Sequence, residues 1–387
     1  MQLKNKISLV AATLLVSSSL MAENYMSIQY IQYDESDDRA TITTPSIEFS
    51  KDIGLDYTLK VGLTSDTVSG ASSLWNDKTK LDASSGASNH TRDTIVDPDD
   101  VQYTMADYDE ERTAVATSLT TRFASRDELT VGLNYSTEND YESREVSAEY
   151  LYYLGSSKNQ SISAGISYQN NEVEVPCYLD SECSVDVSSG ASEYRDVSVM
   201  AAEVGFMQVI DENAFVKASV FMASEDGYLS NPYMNVVRER TDTKLDVVAE
   251  VKPDTRVSYG ITGQYTRALT PSLSSNTMYR FYNDDWDIQS HTISTEMYYE
   301  LDSTFVFGAG LRYYTQSEAE FYKEGYFSTQ EHASSDERMR KFYAYGYKFS
   351  TEYKHTKDLS FNVGLNYYKQ KDTFNAKYYN IGLKYHF

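Results

Sequence analysis

The chain has 387 residues, with 34 lysines and arginines against 58 aspartates and glutamates, so its formal net charge is −24 at pH 7. This excess of acid argues against a nucleic-acid partner, because phosphate binding requires a basic face. The mean hydropathy is −0.53, yet 35 residues are tyrosine, and a polar average with many aromatics fits a membrane barrel with a polar lumen, a thin apolar belt and aromatic girdles.

The first 22 residues predict a secretory signal peptide. Lys4 and Lys6 precede an apolar run over 7–16, and small residues lead to Ala22. This order of positive charge, apolar core and small residues is typical of a cleaved export segment. The apolar run is also too short to span a bilayer as a helix. We therefore expect export in a Gram-negative bacterium and a mature chain over 23–387.

Apolar and polar side chains alternate along several stretches of the mature chain. The pattern is found over 57–64, 129–136, 161–168, 359–367 and 377–387. Alternation of this kind predicts strands with one apolar and one polar face. A soluble β-sandwich would show it too, so strand length, loop asymmetry and the last residue decide between the two classes.

Strand and loop lengths favour the membrane barrel. Several strands run for about ten residues or more, the length that a tilted strand needs to cross a bilayer. Short joins alternate with long polar segments, which we place at 68–111, 171–194, 225–244 and 318–340. Counting the predicted strands in an up-and-down order gives about sixteen. The number would be fourteen if the segment 196–210, which alternates poorly, does not span the membrane. The sequence thus predicts an all-β, transmembrane, antiparallel up-and-down barrel with short periplasmic turns, long extracellular loops and both termini on the periplasmic side.

Cys177 and Cys183 are the two cysteines of the chain, and both lie in one predicted extracellular loop. An exported chain meets an oxidising periplasm, where a disulfide is the default state. The spacing matches neither a C-x-x-C redox motif nor a zinc knuckle. We expect a structural disulfide that closes this loop, with a redox role as the alternative.

The chain ends on an alternating strand whose last residue is aromatic. Phe387, Tyr385 and Leu383 share one face of this strand. Because a closed barrel has no edge strand, we expect it to pair with the first strand, over 24–33. In its terminal aromatic the chain is similar to bacterial outer-membrane barrels as a class. The similarity implies that these three residues form an assembly signal, read by the barrel-assembly machinery.

Five blocks of sequence occur in order between 33 and 322: YDESDDRATI, DTVSGAS, DGYLSNPY, YRFYNDDWDIQSHT and RYYTQSEAEFY. In these blocks the chain resembles an uncharacterised bacterial outer-membrane family, domain of unknown function 3570. One departure is Ser73, which follows the second block where the family usually has proline. The resemblance implies a barrel. Its members are often encoded beside thioredoxin-like and flavin-transferring proteins, which implies a periplasmic redox partner as one alternative.

The matched blocks place charged residues where the strands meet the long loops. The predicted lumen and rim cluster comprises Asp66, Arg112, Asp226, Arg280, Asp284, Asp285, His291 and Arg312. On the strand pattern, Arg280 and Arg312 point into the lumen. Rim acids that face inward arginines would set up a transverse field that tunes a pore. The alternative is that these charges only brace the wall as mutual ion pairs.

Neither a metal site nor catalysis is predicted. The segment 283–291, NDDWDIQSH, gathers three aspartates and His291, but consecutive carboxylates do not converge on a metal, so we expect a hydrophilic hairpin tip. No G-x-S-x-G, H-E-x-x-H or Walker pattern lies in a fitting context. We expect no cofactor and no enzyme, with an outer-membrane hydrolase as the remaining catalytic alternative.

The sequence therefore predicts a porin-like barrel in the outer membrane, in contact with lipid and lipopolysaccharide. Its lumen would bind or pass a small solute, and the acidic rim predicts a preference for cations. The competing hypothesis is a scaffold barrel that anchors or sheaths a periplasmic redox or cofactor-bearing partner.

Overall fold

The structure is a computed structural model and describes residues 24–77, 94–176, 192–240 and 242–387. The signal peptide predicted over 1–22 lies outside the described residues. Cys177 and Cys183, with their predicted disulfide, lie outside them too. Among the described residues, no helix has the length and apolar character needed to cross a membrane.

Nineteen strands make up almost all of the described secondary structure. In chain order they are β1 (Tyr25–Glu35), β2 (Ala40–Ile53), β3 (Tyr57–Asp77), β4 (Thr94–Val96), β5 (Val101–Arg122), β6 (Glu128–Thr137), β7 (Tyr141–Leu154), β8 (Gln160–Pro176), β9 (Ser192–Asp211), β10 (Ala214–Gly227), β11 (Asn235–Glu239), β12 (Leu245–Ala249), β13 (Thr255–Thr270), β14 (Leu273–Asp284), β15 (Gln289–Glu300), β16 (Phe305–Gln316), β17 (Phe342–Lys354), β18 (Leu359–Gln370) and β19 (Asn375–His386).

Sixteen of these strands form one closed antiparallel barrel, while β4, β11 and β12 form a small separate sheet. The predicted fold class and strand number are confirmed. The segment 196–210, which alternates poorly, lies within β9, so the count is sixteen rather than fourteen. Closure is made by β1 and β19, which pair from Tyr25 opposite His386 to Glu35 opposite Ala376.

Side chains on the outer face of the barrel are apolar or aromatic across the middle of the strands. Leu133, Phe349 and Ile381 are 60%, 61% and 60% exposed. In water such exposure would cost roughly 25 cal/mol for each Å² of apolar surface, whereas in hydrocarbon it costs nothing. The alternate residues, such as Asn134 and Asn380, point into the lumen. The outer face is therefore the lipid-facing belt of a transmembrane barrel.

The two ends of the barrel differ in their connections. Short turns at 54–56, 123–127, 155–159, 212–213, 271–272, 301–304 and 355–358 lie at the end that also carries both described termini. At the other end several strands continue past the belt. The described parts of the segment 68–111, expected to be a loop, are largely strand, because β3 and β5 have 21 and 22 residues and pair up to Asp77 opposite Val101. A strand needs only about ten residues to cross a bilayer, so this hairpin extends the wall beyond the membrane.

Phe387 packs across the closing seam. Its ring stacks on Phe49 of β2, with centroids 5.7 Å apart, and lies 6.3 Å from the ring of Tyr385. Its backbone N–H donates to the carbonyl of Asn24 at 3.1 Å. Because β1 lies between β19 and β2, the Phe387 ring connects two strands that do not pair with each other.

We expect the substitution Phe387→Ala to lower the amount of heat-modifiable barrel in the outer membrane and to leave export unchanged. The ring stack alone contributes about 0.5–1.5 kcal/mol beyond its buried area, and the predicted assembly signal would be lost with it. The measurement compares the gel mobility of heated and unheated outer-membrane fractions. Phe387→Tyr, which keeps an aromatic ring, is the control, and normal assembly of Phe387→Ala would contradict the prediction.

A charge on the lipid-facing belt should destabilise the barrel, whereas the same charge in the lumen should not. Leu133→Arg, at an outward position near the middle of β6, is expected to cost about 2–4 kcal/mol in free energy of unfolding. Asn134→Arg is the matched control, because Asn134 faces the lumen and contacts Glu145. Chemical unfolding in lipid vesicles measures both values, and equal costs would show that the assignment of faces is wrong.

Candidate functional site

The long-loop end of the barrel is crossed by a folded cap, which we define as residues 94–100, 228–254 and 317–341. The cap contains the separate sheet, in the order β11-β12-β4. It has its own apolar core, in which Val237 and Val247 are completely shielded from solvent. A core of this kind identifies the cap as a packed unit rather than a set of independent loops.

Backbone hydrogen bonds join the two main cap segments, 228–254 and 317–341. The N–H of Phe327 donates to the carbonyl of Val237 at 2.8 Å, and the N–H of Ala333 donates to the carbonyl of Val251 at 2.8 Å. The N–H of Val251 donates back to the carbonyl of Ala333 at 3.1 Å. The segments leave the wall at different places, between β10 and β13 and between β16 and β17, so this pairing takes place over the mouth of the barrel.

A buried ion cluster also connects the two segments. The Lys252 Nζ lies 3.1 Å from Glu250 Oε2 and 3.7 Å from Asp336 Oδ2, and all three side chains are almost fully buried. Ser334 donates its hydroxyl to Glu250, and the Arg338 Nε donates to Asp336 Oδ1 at 2.8 Å. Removal of one member of such a buried cluster leaves an uncompensated charge and costs about 3–5 kcal/mol.

The cap reaches rim positions far from where its segments leave the wall. Both segments contact Trp75 of β3: the Asn235 Nδ2 donates to the Trp75 carbonyl at 3.2 Å, and the Tyr326 ring packs edge-on at 5.8 Å. In the ring of strands, β3 lies nearly opposite β13. Two further anchors are the Tyr233 hydroxyl, which donates to Asp140 at 2.8 Å, and the Arg39–Glu337 ion pair at 2.7 Å. The cap therefore spans the mouth.

Leu229 of the cap packs inside the mouth. It contacts an apolar cluster on the inward faces of β7, β8 and β9, which includes Tyr141 and Val175. It also contacts the cluster around Trp286 and Phe321, where the β14–β15 hairpin meets the cap. Leu229 thus links two separate arcs of the wall beneath the cap.

Two of the predicted cluster's acids are bound in ion pairs in the wall. Asp66 and Arg112 stand opposite each other on β3 and β5, and the Arg112 Nε donates to Asp66 Oδ2 at 2.6 Å. Asp66 is only 2% exposed. This arrangement braces the wall.

Asp284 organises the β14–β15 hairpin. Its carboxylate accepts from the Arg256 Nη2 at 2.6 Å, from the backbone N–H groups of Trp286 and Ile288 at 3.1 and 2.9 Å, and from the Tyr282 hydroxyl at 2.8 Å. The Arg256 guanidinium also lies over the Trp286 ring at 4.6 Å. Arg256 was not among the predicted residues, because it is distant from Asp284 in sequence and only the β13–β14 pairing brings them together.

Three members of the predicted cluster do not face the lumen. Asp226 and Asp285 are exposed, at the outer face of β10 and at the hairpin tip. His291 lies on the outer face, where its Nδ1 hydrogen-bonds the Tyr279 hydroxyl at 2.8 Å and its ring lies 5.3 Å from Phe281. His291 points outward because it is paired directly with Phe281, whose side chain faces out from the barrel. Among the described residues, no three His, Cys, Asp or Glu side chains converge as metal ligands.

Arg280 and Arg312 face the lumen, as their strand positions predict. The Arg280 guanidinium lies 4.8 Å from the centroid of the Phe221 ring, and that of Arg312 lies 5.2 Å from the Tyr314 ring. Within the described part of the chain, no carboxylate forms an ion pair with either arginine. Two positive charges therefore remain uncompensated at close range on the wall formed by β14 and β16.

A separate acidic arc lies on β7 and β9 and was not predicted. Glu149 and Glu203 stand on either side of Gly165 in the strand pairing, close enough to repel each other. Glu145, on the same face of β7, accepts hydrogen bonds from Asn134 at 3.1 Å and Gln169 at 2.7 Å. The alternation along β7 could have predicted the glutamates on this strand, because Glu145 and Glu149 alternate with Val146 and Tyr150, which face outward. This part of the lumen wall thus carries three glutamates, with Lys217 of β10 near Glu149, whereas the wall formed by β14 and β16 carries two arginines.

Comparisons with known proteins give a family but no function. The family model described as "Protein of unknown function (DUF3570)" matches residues 6–383. A search of curated proteins finds no match.

Several solved structures with a similar course of the chain share little sequence with it. A bacterial polysaccharide outer membrane secretin has 9% identity and a TM-score of 0.48, over 95% of this chain and 99% of that chain. The CymD monoaromatic hydrocarbon channel has 9% identity and a TM-score of 0.43, over 95% and 89%. A mutant ferric enterobactin receptor, PfeA of Pseudomonas aeruginosa, has 9% identity and a TM-score of 0.47, and the match covers 91% of this chain but 55% of the receptor. We therefore infer function from the geometry of this chain alone.

Acid should loosen the cap. Burial alone would raise the pKa of the Asp336 carboxyl, but the Arg338 and Lys252 cations more than offset this and hold its pKa below the ordinary 3.8. A depressed carboxyl pKa stabilises the fold fully above the unfolded value, and this contribution is lost as the pH falls through the folded value. The cap should therefore lose stability below about pH 4, the unfolded-state value for an aspartate.

Hydrogen–deuterium exchange at pH 6 and pH 3, corrected for the intrinsic exchange rates, measures this effect. We expect amides in 228–254 and 317–341 to lose protection at pH 3 while the barrel strands keep theirs. Asp336→Asn is the control, because it removes the titrating group and should abolish most of the pH dependence. Equal protection of the cap at both pH values would contradict the prediction.

Proposed function

Because the chain belongs to the DUF3570 family of proteins of unknown function, we propose a function from its geometry: it is an outer-membrane channel in which a folded extracellular cap controls the entry of a small solute. The barrel is closed, its belt is apolar, and its long-loop end is crossed by the cap. In this orientation the short turns face the periplasm, as in outer-membrane barrels generally.

The observation that carries the proposal is the pair of uncompensated arginines in a polar lumen beneath the cap. Charged residues at membrane depth are costly, and they usually mark a substrate or ion pathway when they face a water-filled cavity. A barrel that served only as an anchor would gain nothing from leaving Arg280 and Arg312 without carboxylate partners. A sixteen-strand barrel is also wide enough to leave an aqueous channel between its side chains.

The charges that face the solute differ from those predicted at the rim. Asp66 and Asp284 are neutralised by Arg112 and Arg256, so they contribute little to the potential in the mouth. We therefore replace the expected cation preference with a lumen whose charge is separated between an acidic arc and a basic arc. Such a separation orients a small polar solute during passage.

The competing function is a scaffold that sheaths a periplasmic redox or cofactor-bearing partner. The cap closes the extracellular end, and a sheath would also need its lumen to be filled from the periplasmic end. The two functions differ in their conductance, because a channel conducts when its cap opens, whereas a filled sheath does not.

We expect Lys252→Met to increase the fraction of time that single channels spend open in planar bilayers. Met has a similar length but carries no charge, so Glu250 and Asp336 would lose their shared cation and the two cap segments would separate more often. Wild-type protein should show brief openings, and the variant should show longer ones. Arg240→Gln is the matched control, because its ion pairs with Asp242 and Asp246 lie on the exposed cap surface.

Absence of conductance in both proteins would contradict the channel and favour the scaffold. Equal, steady conductance in both would show that the cap does not control entry. Heat-modifiability on gels checks that Lys252→Met is folded. Arg39→Gln offers a second route to the same result, because it removes the rim anchor to Glu337 and leaves the cap core intact; its contacts with Glu35 and the Phe374 ring, which are lost as well, lie at the barrel rim and not in the cap core.

A further inference from the structure

We propose that Arg280 and Arg312 form a binding site for a small organic monoanion that carries a planar ring, such as an aromatic carboxylate. The inference rests on the proposed function in that it names the class of solute that the lumen would take.

The two arginines occupy one patch of the wall. Arg280 on β14 is paired with Thr292 of β15, which is paired with Tyr314 of β16. Arg312 is two residues from Tyr314 on the same strand and faces the same way. Strands lie about 4.8 Å apart, so the two backbones are separated by about 10 Å. Side chains of this length can approach one solute in the lumen from both sides.

The patch differs from every other place where a strand arginine faces the lumen in the described barrel. Arg112, Arg122, Arg195 and Arg256 each have a carboxylate within 3.8 Å, the distance from Arg122 to Asp52. Arg280 and Arg312 have none among the described residues, and instead they repel each other. Repulsion between two fixed cations is relieved when an anion binds between them.

Aromatic rings hold the two guanidiniums and offer a flat surface beside them. Phe221 lies under Arg280 and stacks on Tyr282, with centroids 6.3 Å apart and an interplanar angle of 27°. Tyr314 lies under Arg312, and its hydroxyl donates to Gln316 Oε1 at 2.7 Å, which fixes the ring. A planar ring would stack on these groups while its carboxylate accepts from the guanidinium forks.

The neighbouring acidic arc sets the charge of the ligand. Glu203 is paired with Phe221 across β9 and β10, so it borders the patch, and it attracts Arg280 without forming an ion pair with it. A multiply charged anion would be repelled by Glu203, whereas a single carboxylate placed between the arginines would not approach it as closely. The patch therefore favours a monoanion over phosphate or a dicarboxylate.

Isothermal titration calorimetry with benzoate, on the full barrel in detergent, tests the site without requiring conductance. We expect saturable binding to wild-type protein, and at least about tenfold weaker binding to Arg280→Gln and to Arg312→Gln, since each variant loses charge-assisted hydrogen bonds to the carboxylate. Cyclohexanecarboxylate, which has the same charge but no planar ring, should bind more weakly than benzoate. Benzylammonium, which has the ring but a positive charge, should not bind.

Lys348→Gln is the matched control. Lys348 is also a lumen-facing cation, one strand away from Arg312, but it is paired with Glu296 at 3.1 Å. We expect its benzoate affinity to stay within about twofold of the wild-type value, because its charge is already compensated. Neither arginine substitution breaks an ion pair, so folding should persist, and Arg312→Lys serves as a further variant that keeps the charge but loses the fork.

Two results would overturn the proposal: absence of benzoate binding to wild-type protein, or equal weakening by Lys348→Gln, which would indicate only the general field of the lumen. These outcomes are distinct from failure of the channel function. Channel openings without benzoate binding would support the channel function and contradict the binding site. Benzoate binding without channel openings would support the binding site and favour a closed scaffold.

Discussion

Everything in this molecule depends on one constraint: in hydrocarbon, each backbone N–H and C=O must be paired within the protein. The pairing of β1 with β19 meets it by leaving no edge strand. Closure then fixes which side chains of each strand face lipid and which face the lumen, because a slip of one residue would exchange the two faces of a strand. Ile381 and Leu383 would turn into the lumen, and Asn380 and Lys384 would meet lipid. The polar lumen and the apolar belt therefore follow from the same register.

The alternation of inward and outward side chains is also the feature that the sequence could predict. Alternation, together with strand length, loop asymmetry and the last residue, indicated the barrel, its strand number and the closing pair. Alternation also indicated the inward direction of Arg280 and Arg312. Proximity in sequence was a poorer guide. Asp284, Asp285 and His291 are neighbours in the chain, yet one is buried in an ion pair, one is exposed at a tip and one faces outward. The partner of Asp284 is Arg256 on the adjacent strand, and no local pattern indicates it.

The cap could not be predicted for a related reason. Its segments lack a sustained period, and its stability comes from contacts between residues far apart in the chain, such as Lys252 with Asp336 and Asn235 with Trp75. A buried ion cluster adds little net stability, because the desolvation of its charges offsets much of their attraction. A cap held in this way can be well defined when closed and still open at a modest cost, while the hydrogen-bonded wall does not change. In the proposed function, control of entry and selection of the solute thus belong to separate parts of the molecule, the cap and the arginine patch.

The accessibility of the lumen from outside the cell is the most direct test of whether the cap closes it. In a Cys177→Ser, Cys183→Ser background, Ser294→Cys would place a single thiol on β15, paired with Arg312 below the cap. A membrane-impermeant maleimide added to intact cells should label this thiol slowly, and Lys252→Met should speed the labelling at least about tenfold, which corresponds to about 1.4 kcal/mol in the closed–open equilibrium. Rapid labelling with the cap intact, or no effect of Lys252→Met, would contradict the conclusion that the cap closes the lumen.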